Sequence, residues 1–243
     1  EGRIFRLNDP RNIGVAGVPV DITPPVINSY ISSTATVNVA DIAVNPNNDD
    51  EVMVVYSNYQ VTIGSTINKE FNIWWTTNGK SASPTWTLIE GNLTLPSIRS
   101  CAIVARKDNT GKGFTEYYVG TSVGLYSTLG VKDTLTAGKT ITWNREGGSV
   151  LNYAVINSLS YRPQDNTLLV GTHGNGMYYT VIPQANYTPN LNTGINDPIR
   201  NNKDFIRFAS PGITNSSVQF RIGNMYEVKN LVIQVHNSTG QLV

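Results

Sequence analysis

The sequence is poor in the residues that several large classes of protein require. Its 243 residues include one cysteine, Cys101, so they cannot form an internal disulfide. Only 14% of the residues are charged, a lower fraction than is typical of disordered chains, and the net charge is +1. The basic residues form no block or stripe, so we do not expect a nucleic-acid partner. No apolar run approaches the roughly 18 residues of a transmembrane helix, which predicts no membrane-spanning segment.

Catalytic and metal-binding patterns are also lacking. Cys101 lies in an apolar stretch without a recognisable base, so we interpret it as a core thiol, with a nucleophile as the alternative. Residues 49–51 are acidic, and we interpret them as a solvated turn instead of a calcium site. His173 stands alone among glycines and is interpreted as a turn residue. No carboxylate pair suits glycoside hydrolysis. We therefore predict no catalytic residue, metal ligand or cofactor.

What the sequence does contain is punctuated β-structure. Through residues 1–183, short runs of Val, Ile, Tyr, Thr and Trp alternate with Gly, Asn, Asp and Pro. These are strand and turn signals, and no window keeps a helical apolar period, so we predict a nearly all-β chain. The strands repeat as strand, Asx-rich turn, strand and third strand, followed by a fourth strand that opens with Thr-Trp. Two full units span about residues 38–94 and 98–148.

Incomplete units flank the two full ones. Residues 2–7 and 18–23 fit a third and a fourth strand, and residues 153–182 contain only three strands. Four strands in fewer than about 60 residues is the size of a propeller blade, but closed propellers have roughly four to eight blades. We therefore expect further blades upstream, and expect the distant N-terminus to supply the last blade's fourth strand. A β-sandwich and a small stack of sheets are the alternatives.

The turns between the third and fourth strands carry a more specific pattern. Seven residues form it, in two turns: Thr76, Asn78, Gly79 and Trp86, then Ser127, Gly130 and Trp143. The pattern resembles the Asp-box of sialidase-like and xyloglucanase-like propellers. Asn78 stands where that family has Asp, and it can still accept hydrogen bonds from backbone N–H groups. The resemblance implies that these residues shape turns and form no active site, and that residues 1–183 are the C-terminal part of a β-propeller.

The C-terminal residues have a different organisation. Residues 184–197 are polar and include Pro189, and Pro183 and Pro198 flank them, as is typical of interdomain linkers. In residues 198–243, strands resume with the alternating pattern of a sandwich. This segment resembles the type A sorting domain of type IX secretion cargo, although His236 replaces the usual Tyr and the final strands are absent. The residues that match the signal are Lys229, Asn237, Gly240, Gln241, Leu242 and Val243.

This second resemblance implies that the C-terminal segment is a secretion signal. It implies an immunoglobulin-like β-sandwich, incomplete at its C-terminus, that is recognised by the type IX translocon and its outer-membrane shuttle barrel. The protein is then expected outside a Gram-negative cell, in the medium or on the surface. The first residues lack a signal-peptide pattern, so the leader of such a protein is expected upstream. A fibronectin-like accessory domain is the alternative.

Three functions stay open for the propeller. It could bind glycans or surface proteins, form a structural part of an adhesin or motility protein, or be a glycoside hydrolase whose catalytic carboxylates lie in other blades. We favour binding or structure, because the residues present contain no catalytic constellation.

Overall fold

The computed structural model describes residues 2–8, 18–32, 37–57, 61–63, 66–68, 71–93, 96–108, 110–183 and 207–209. These residues form a mostly β structure with three short helices, α1 (Pro25–Ser32), α2 (Val131–Thr136) and α3 (Gly148–Leu151). The strands are β1 (Phe5–Arg6), β2 (Val20–Asp21), β3 (Val39–Asn45), β4 (Asn48–Tyr56), β5 (Val61–Ile63), β6 (Thr66–Asn68), β7 (Ile73–Thr76), β8 (Thr87–Leu88), β9 (Ile98–Lys107), β10 (Gly113–Thr121), β11 (Gly124–Leu129), β12 (Asn144–Glu146), β13 (Ile156–Arg162), β14 (Thr167–Thr172), β15 (Met177–Val181) and β16 (Arg207–Ala209).

The strands form antiparallel sheets in chain order. An N-terminal pair, β1–β2, is followed by three four-stranded sheets: sheet 1 (β3-β4-β7-β8), sheet 2 (β9-β10-β11-β12) and sheet 3 (β13-β14-β15-β16). The hairpin β5–β6 is inserted between β4 and β7. The predicted repeat of strand units is confirmed, and each predicted strand of the two full units has its counterpart. Sheet 1 differs in its first turn, because β4 begins at Asn48, inside the stretch predicted as a turn.

The fourth position of sheet 3 differs from the prediction. Arg207–Ala209 pairs with β15, whereas the sequence places these residues in the C-terminal domain and predicts a strand from far upstream. The predicted linker, residues 184–197, and the rest of the predicted C-terminal domain lie outside the described residues.

Successive sheets pack face to face around three apolar cores. Because neighbouring residues of a strand point to opposite faces, each inner sheet contributes to two cores. The core between the N-terminal pair and sheet 1 includes Ile4, Ile22, Ile27, Val54, Tyr56 and Trp74. The core between sheets 1 and 2 includes Met53, Val55, Trp75, Ile103, Tyr117 and Val119. The core between sheets 2 and 3 includes Val104, Tyr118, Leu125, Ile156, Leu168 and Val170.

The first strands of the sheets form the common inner edge of the stack. β9 lies against both β3 and β13. The backbone N–H of Cys101 on β9 donates to Asp41 Oδ2 on β3 at 3.0 Å, which ties two inner strands together. Cys101 itself is buried, and burial raises the pKa of its thiol, so the predicted core thiol is confirmed.

Helix α1 was not predicted from the sequence. It has eight residues, too few for a stable isolated helix, so tertiary packing must hold it. Ile27 is fully buried, and the Tyr30 ring meets the Phe71 ring edge-on at 5.9 Å. The helix thus completes the core beside the N-terminal pair.

Sheet 2 contains a buried ion pair. Arg106 on β9 and Glu116 on β10 lie 2.5 Å apart, with side-chain exposures of 3% and 0%. Arg106 also donates to the carbonyl oxygen of Pro183 at 2.7 Å, where the chain leaves sheet 3. The pair therefore links the sheet interior to the end of the repeated units.

The substitution Glu116→Gln should lower the free energy of unfolding by about 3–5 kcal/mol, because it leaves the Arg106 charge buried without its carboxylate. Urea unfolding monitored by tryptophan fluorescence measures this loss. The control is Asp165→Asn, which removes the solvent-exposed ion pair with Arg162 and should leave the unfolding midpoint unchanged. Equal effects of the two substitutions would contradict the prediction.

Candidate functional site

The residues predicted to matter fall into two groups. The six residues of the predicted secretion signal, within residues 229–243, lie outside the described part of the chain. The seven residues of the Asp-box-like turns are described, and they lie at the outer side of sheets 1 and 2, between the third and fourth strands.

The first of these turns is closed by Asn78. Thr76 Oγ1 donates to Asn78 Oδ1 at 2.8 Å, and the Thr85 N–H donates to the same oxygen at 2.8 Å. The Asn78 N–H donates to Thr76 Oγ1 at 3.2 Å, and the Gly79 N–H donates to the carbonyl of Asp50 at 2.8 Å. One side-chain oxygen thus joins the end of β7 to the start of the fourth strand, as expected of an Asx residue in a turn.

The second turn uses a different construction. Ser127 donates to Glu146 Oε1 on β12 at 2.6 Å, and Thr128 Oγ1 donates to the Thr142 carbonyl at 2.9 Å. Gly130 has a φ of 58° and directly precedes helix α2, which fills the insertion before Trp143. The second turn therefore shares the positions of its Ser, Gly and Trp residues with the first turn but not the hydrogen bonds that close it.

Both tryptophans bind the sheet before their own. Trp86 Nε1 donates to the Ile22 carbonyl at 2.8 Å, and Trp143 Nε1 donates to the Ile89 carbonyl at 2.8 Å. Each ring directly precedes a fourth strand, and each accepting residue directly follows the fourth strand of the preceding layer. The two tryptophans thus join successive layers, whereas the other turn residues hold strands of their own sheet.

A second repeated feature lies at the inner edge of the stack. Each first strand contains a β-bulge near its beginning, where one extra residue is inserted opposite the second strand. The extra residues are Ala40 on β3, Arg99 on β9 and Asn157 on β13. Bulges redirect side chains and are common beside active sites. We call the end of the stack where these three residues lie the bulge end.

The bulges explain a glycine that repeats in the second strands. Gly120 pairs with Ser100, and Gly171 pairs with Ser158, each immediately after a bulge. A Cβ atom at Gly120 would lie 2.3 Å from Ser100 Oγ, and one at Gly171 would lie 2.2 Å from Ser158 Oγ. A Cβ atom at Gly120 would also lie 2.9 Å from Ile156 Cβ, so this glycine is required by the close packing of Ser100 and Ile156, whereas at Gly171 only the serine hydroxyl would have to move.

Two side chains of the bulge end are in contact. Arg99 Nη1 donates to Asn157 Oδ1 at 3.3 Å, which joins sheets 2 and 3 at their inner strands. No carboxylate of the described residues lies within 4 Å of the Arg99 guanidinium, and its Nε atom is buried without a hydrogen-bond partner there. A guanidinium without a carboxylate partner can donate from its Nη groups to an added acceptor group.

The loops between second and third strands leave the stack at the same end. Their first residues are held by one repeated bond to the residue before the first strand: Ser57 N to Asn38 O, Ser122 N to Ser97 O, and His173 N to Val155 O. The loop of sheet 1 contains the β5–β6 hairpin. His173 is exposed in the turn between β14 and β15, which confirms its prediction as a turn residue.

The sequence analysis missed the bulge end. Ile98-Arg99-Ser100 and Ile156-Asn157-Ser158 share the pattern Ile-polar-Ser, and each stands opposite a Val-Gly-Thr segment. This shared pattern was the available signal. A bulge is set by strand register, which the pattern alone does not reveal.

The acidic residues 49–51 lie in strand β4, so their prediction as a turn is wrong. Asp49 is exposed, as predicted, and pairs with Lys80, whereas Glu51 is only 7% exposed. Its carboxylate accepts three hydrogen bonds, from Asn45 Nδ2, Trp75 Nε1 and Tyr117 Oη. Burial and the Glu51 charge raise the pKa of Tyr117, so its hydroxyl stays protonated and donates. This buried cluster joins sheets 1 and 2.

Comparisons of the sequence with family models and with curated proteins found no relative. No family model matches the sequence, and no curated protein matches it. Within the described ranges, the His, Cys, Asp and Glu side chains form no group of three that could hold a metal ion. In the same part of the chain, no helix is long and apolar enough to cross a membrane.

Replacing Asn78 by Ala should lower the free energy of unfolding by about 1 kcal/mol, because the Thr85 N–H and the Thr76 hydroxyl lose their acceptor. The matched control is Asn78→Asp, which keeps an acceptor oxygen and should stay close to the parent protein. Thermal and urea unfolding measure both variants. If Asn78→Asp destabilised the chain as much as Asn78→Ala, the acceptor role would be refuted.

Proposed function

We propose that residues 1–183 belong to a sialidase-like or xyloglucanase-like β-propeller that acts as a binding module. The observation that supports this best is the repeated layer: a four-stranded antiparallel sheet in chain order, with a bulged first strand and a tryptophan bonded to the preceding layer. The packing of β9 against both β3 and β13 suits a radial arrangement of blades with the first strands at the centre. The likeness to this family rests on the Asp-box-like residues of the sequence.

The proposed binding site is the bulge end. Its support is the pair Arg99 and Asn157 on neighbouring inner strands, together with the hairpin β5–β6 that emerges at the same end. The amide of Asn157 and the free donors of Arg99 suit the hydroxyl and carbonyl oxygens of glycans or of peptide segments. The buried carboxylates Glu51, Glu90 and Glu116 are already hydrogen-bonded, so we assign the site to binding and not to hydrolysis.

The export route is part of the proposal. Residues 198–243, apart from Arg207–Ala209, which pair with β15 in sheet 3, are proposed to form an immunoglobulin-like sorting domain that the type IX translocon and its shuttle barrel recognise. The support is the sequence pattern from Lys229 to Val243, with Asn237 and Gly240 at its turn. The protein would then act in the medium or on the surface of a Gram-negative bacterium.

Deleting residues 194–243 should trap the protein in the periplasm of a bacterium with type IX secretion, because the proposed address is removed. Immunoblots of periplasm, outer membrane and medium measure its distribution. The matched controls are Gly240→Val within the proposed signal, which should also reduce secretion, and Asn190→Ala in the linker, which should not. Normal secretion of the deleted protein would refute the sorting-domain proposal.

Arg99→Ala should weaken binding to immobilised glycans or surface proteins by roughly tenfold or more, because charged hydrogen bonds contribute about 1.5–3 kcal/mol. The probes are a glycan array and an array of outer-membrane proteins from the same bacterium. Arg162→Ala is the control, since Arg162 is an exposed arginine at the opposite end of β13. Unchanged binding by Arg99→Ala, or equal losses in both variants, would refute the assignment of the site.

A further inference from the structure

Two Asn-Gly dipeptides occur in the sequence, Asn78-Gly79 and Asn175-Gly176, and both lie in connections between strands. Asparagine is a chemically labile residue. In this dipeptide the backbone nitrogen of the glycine can attack the side-chain carbonyl carbon of the asparagine, because glycine has no side chain to hinder the approach. The reaction in a folded chain therefore depends on how firmly these two groups are held.

The Asn78-Gly79 dipeptide is held at both reacting groups. Asn78 Oδ1 accepts hydrogen bonds from the Thr76 hydroxyl and from the Thr85 N–H, each at 2.8 Å. Gly79 is buried, and its N–H donates to the carbonyl of Asp50 at 2.8 Å. These bonds have to break before the Gly79 nitrogen can reach the Asn78 side chain, so the folded structure protects this dipeptide.

The Asn175-Gly176 dipeptide lacks these restraints. Asn175 is exposed in the turn between β14 and β15, and within the described ranges neither its side chain nor the Gly176 N–H forms a hydrogen bond. The turn is held instead through Thr172, whose Oγ1 accepts from the Asn175 N–H at 3.1 Å and donates to the Gly176 carbonyl at 2.6 Å. A Cβ atom at Gly174 would meet no atom within 4 Å, so the turn projects into open space.

We propose that Asn175 is a site of spontaneous deamidation in the folded protein and that Asn78 is protected from it. The Gly176 nitrogen gives up its proton to hydroxide and bonds to Asn175 Cγ. The bond from Cγ to Nδ2 breaks, and this nitrogen leaves as ammonia. Water then opens the cyclic imide at either carbonyl, which yields aspartate or isoaspartate. The net reaction consumes one water and releases one ammonia, with no enzyme, oxidant or reductant.

Deamidation at Asn175 changes the bulge end. The turn between β14 and β15 leaves the stack there, and the His173 N–H at its start donates to the Val155 carbonyl at 2.8 Å. Each conversion adds one negative charge to this turn, and the isoaspartate form also lengthens the backbone between Thr172 and Gly176 by one methylene. The charge at this end of the stack therefore depends on the age of the chain.

Timed incubation of the purified chain in a mildly alkaline buffer, followed by peptide mapping with mass spectrometry, measures both sites. In the folded chain, Asn175 should deamidate at least about tenfold faster than Asn78, because the hydrogen bonds that hold Asn78 have to open first. In urea the two dipeptides should react at similar rates, since the restraints are gone. Equal rates in the folded chain, or a difference that persists in urea, would overturn the proposal.

Ion-exchange chromatography of the intact chain supplies matched controls. The parent chain should accumulate an acidic form, and Asn175→Gln should lose most of it, because a glutamine side chain would have to close a larger imide ring. Asn78→Asp removes the other dipeptide and should accumulate the acidic form at the parent rate. Circular dichroism verifies that both variants are folded. Accumulation in Asn175→Gln at the parent rate would contradict the assignment, whereas loss of glycan or protein binding would not bear on it.

Discussion

Sheets 1 and 2 have to bury both of their faces, and the rest of the structure depends on this constraint. In sheet 1, Val54 and Trp74 point to one core while Val55 and Trp75 point to the next. An antiparallel sheet often exposes one polar face to water. Here both faces carry apolar side chains, so neither face can be left in water. Stacking in layers satisfies both faces. Helix α1 then serves where the N-terminal pair alone is too small to cover sheet 1.

The strands could be predicted from the sequence, because their signals are local. The features that depend on contacts between distant residues could not. The strands of sheets 1 and 2 were predictable because β-branched and aromatic runs end at Asx-rich and glycine turns. Helix α1 and the burial of Glu51 depend on partners far along the chain, such as Phe71 and Tyr117. A short helix and an acidic residue carry no local sign of such partners.

The same distinction between local and long-range signals applies to the candidate functional residues. The turn residues Asn78 and Trp86 were recognisable because their pattern is local, and the structure places them in supports between strands and layers. Arg99 and Asn157 meet only because two strands contain an extra residue at matching positions. That coincidence of register is a property of the assembled sheets. The candidate site thus had to be found from the pairing of strands.

The two backward bonds of the tryptophans have a consequence for synthesis on the ribosome. Trp86 Nε1 donates to the Ile22 carbonyl, and Trp143 Nε1 donates to the Ile89 carbonyl. In each case the accepting residue is translated before the tryptophan. Its acceptor belongs to a layer that has already emerged. Domains generally fold from the N-terminus as the chain is made. Sheets 1 and 2 each emerge after the layer to which their tryptophan bonds, so that layer is available for packing. The order of translation is therefore also the order in which the layers can assemble.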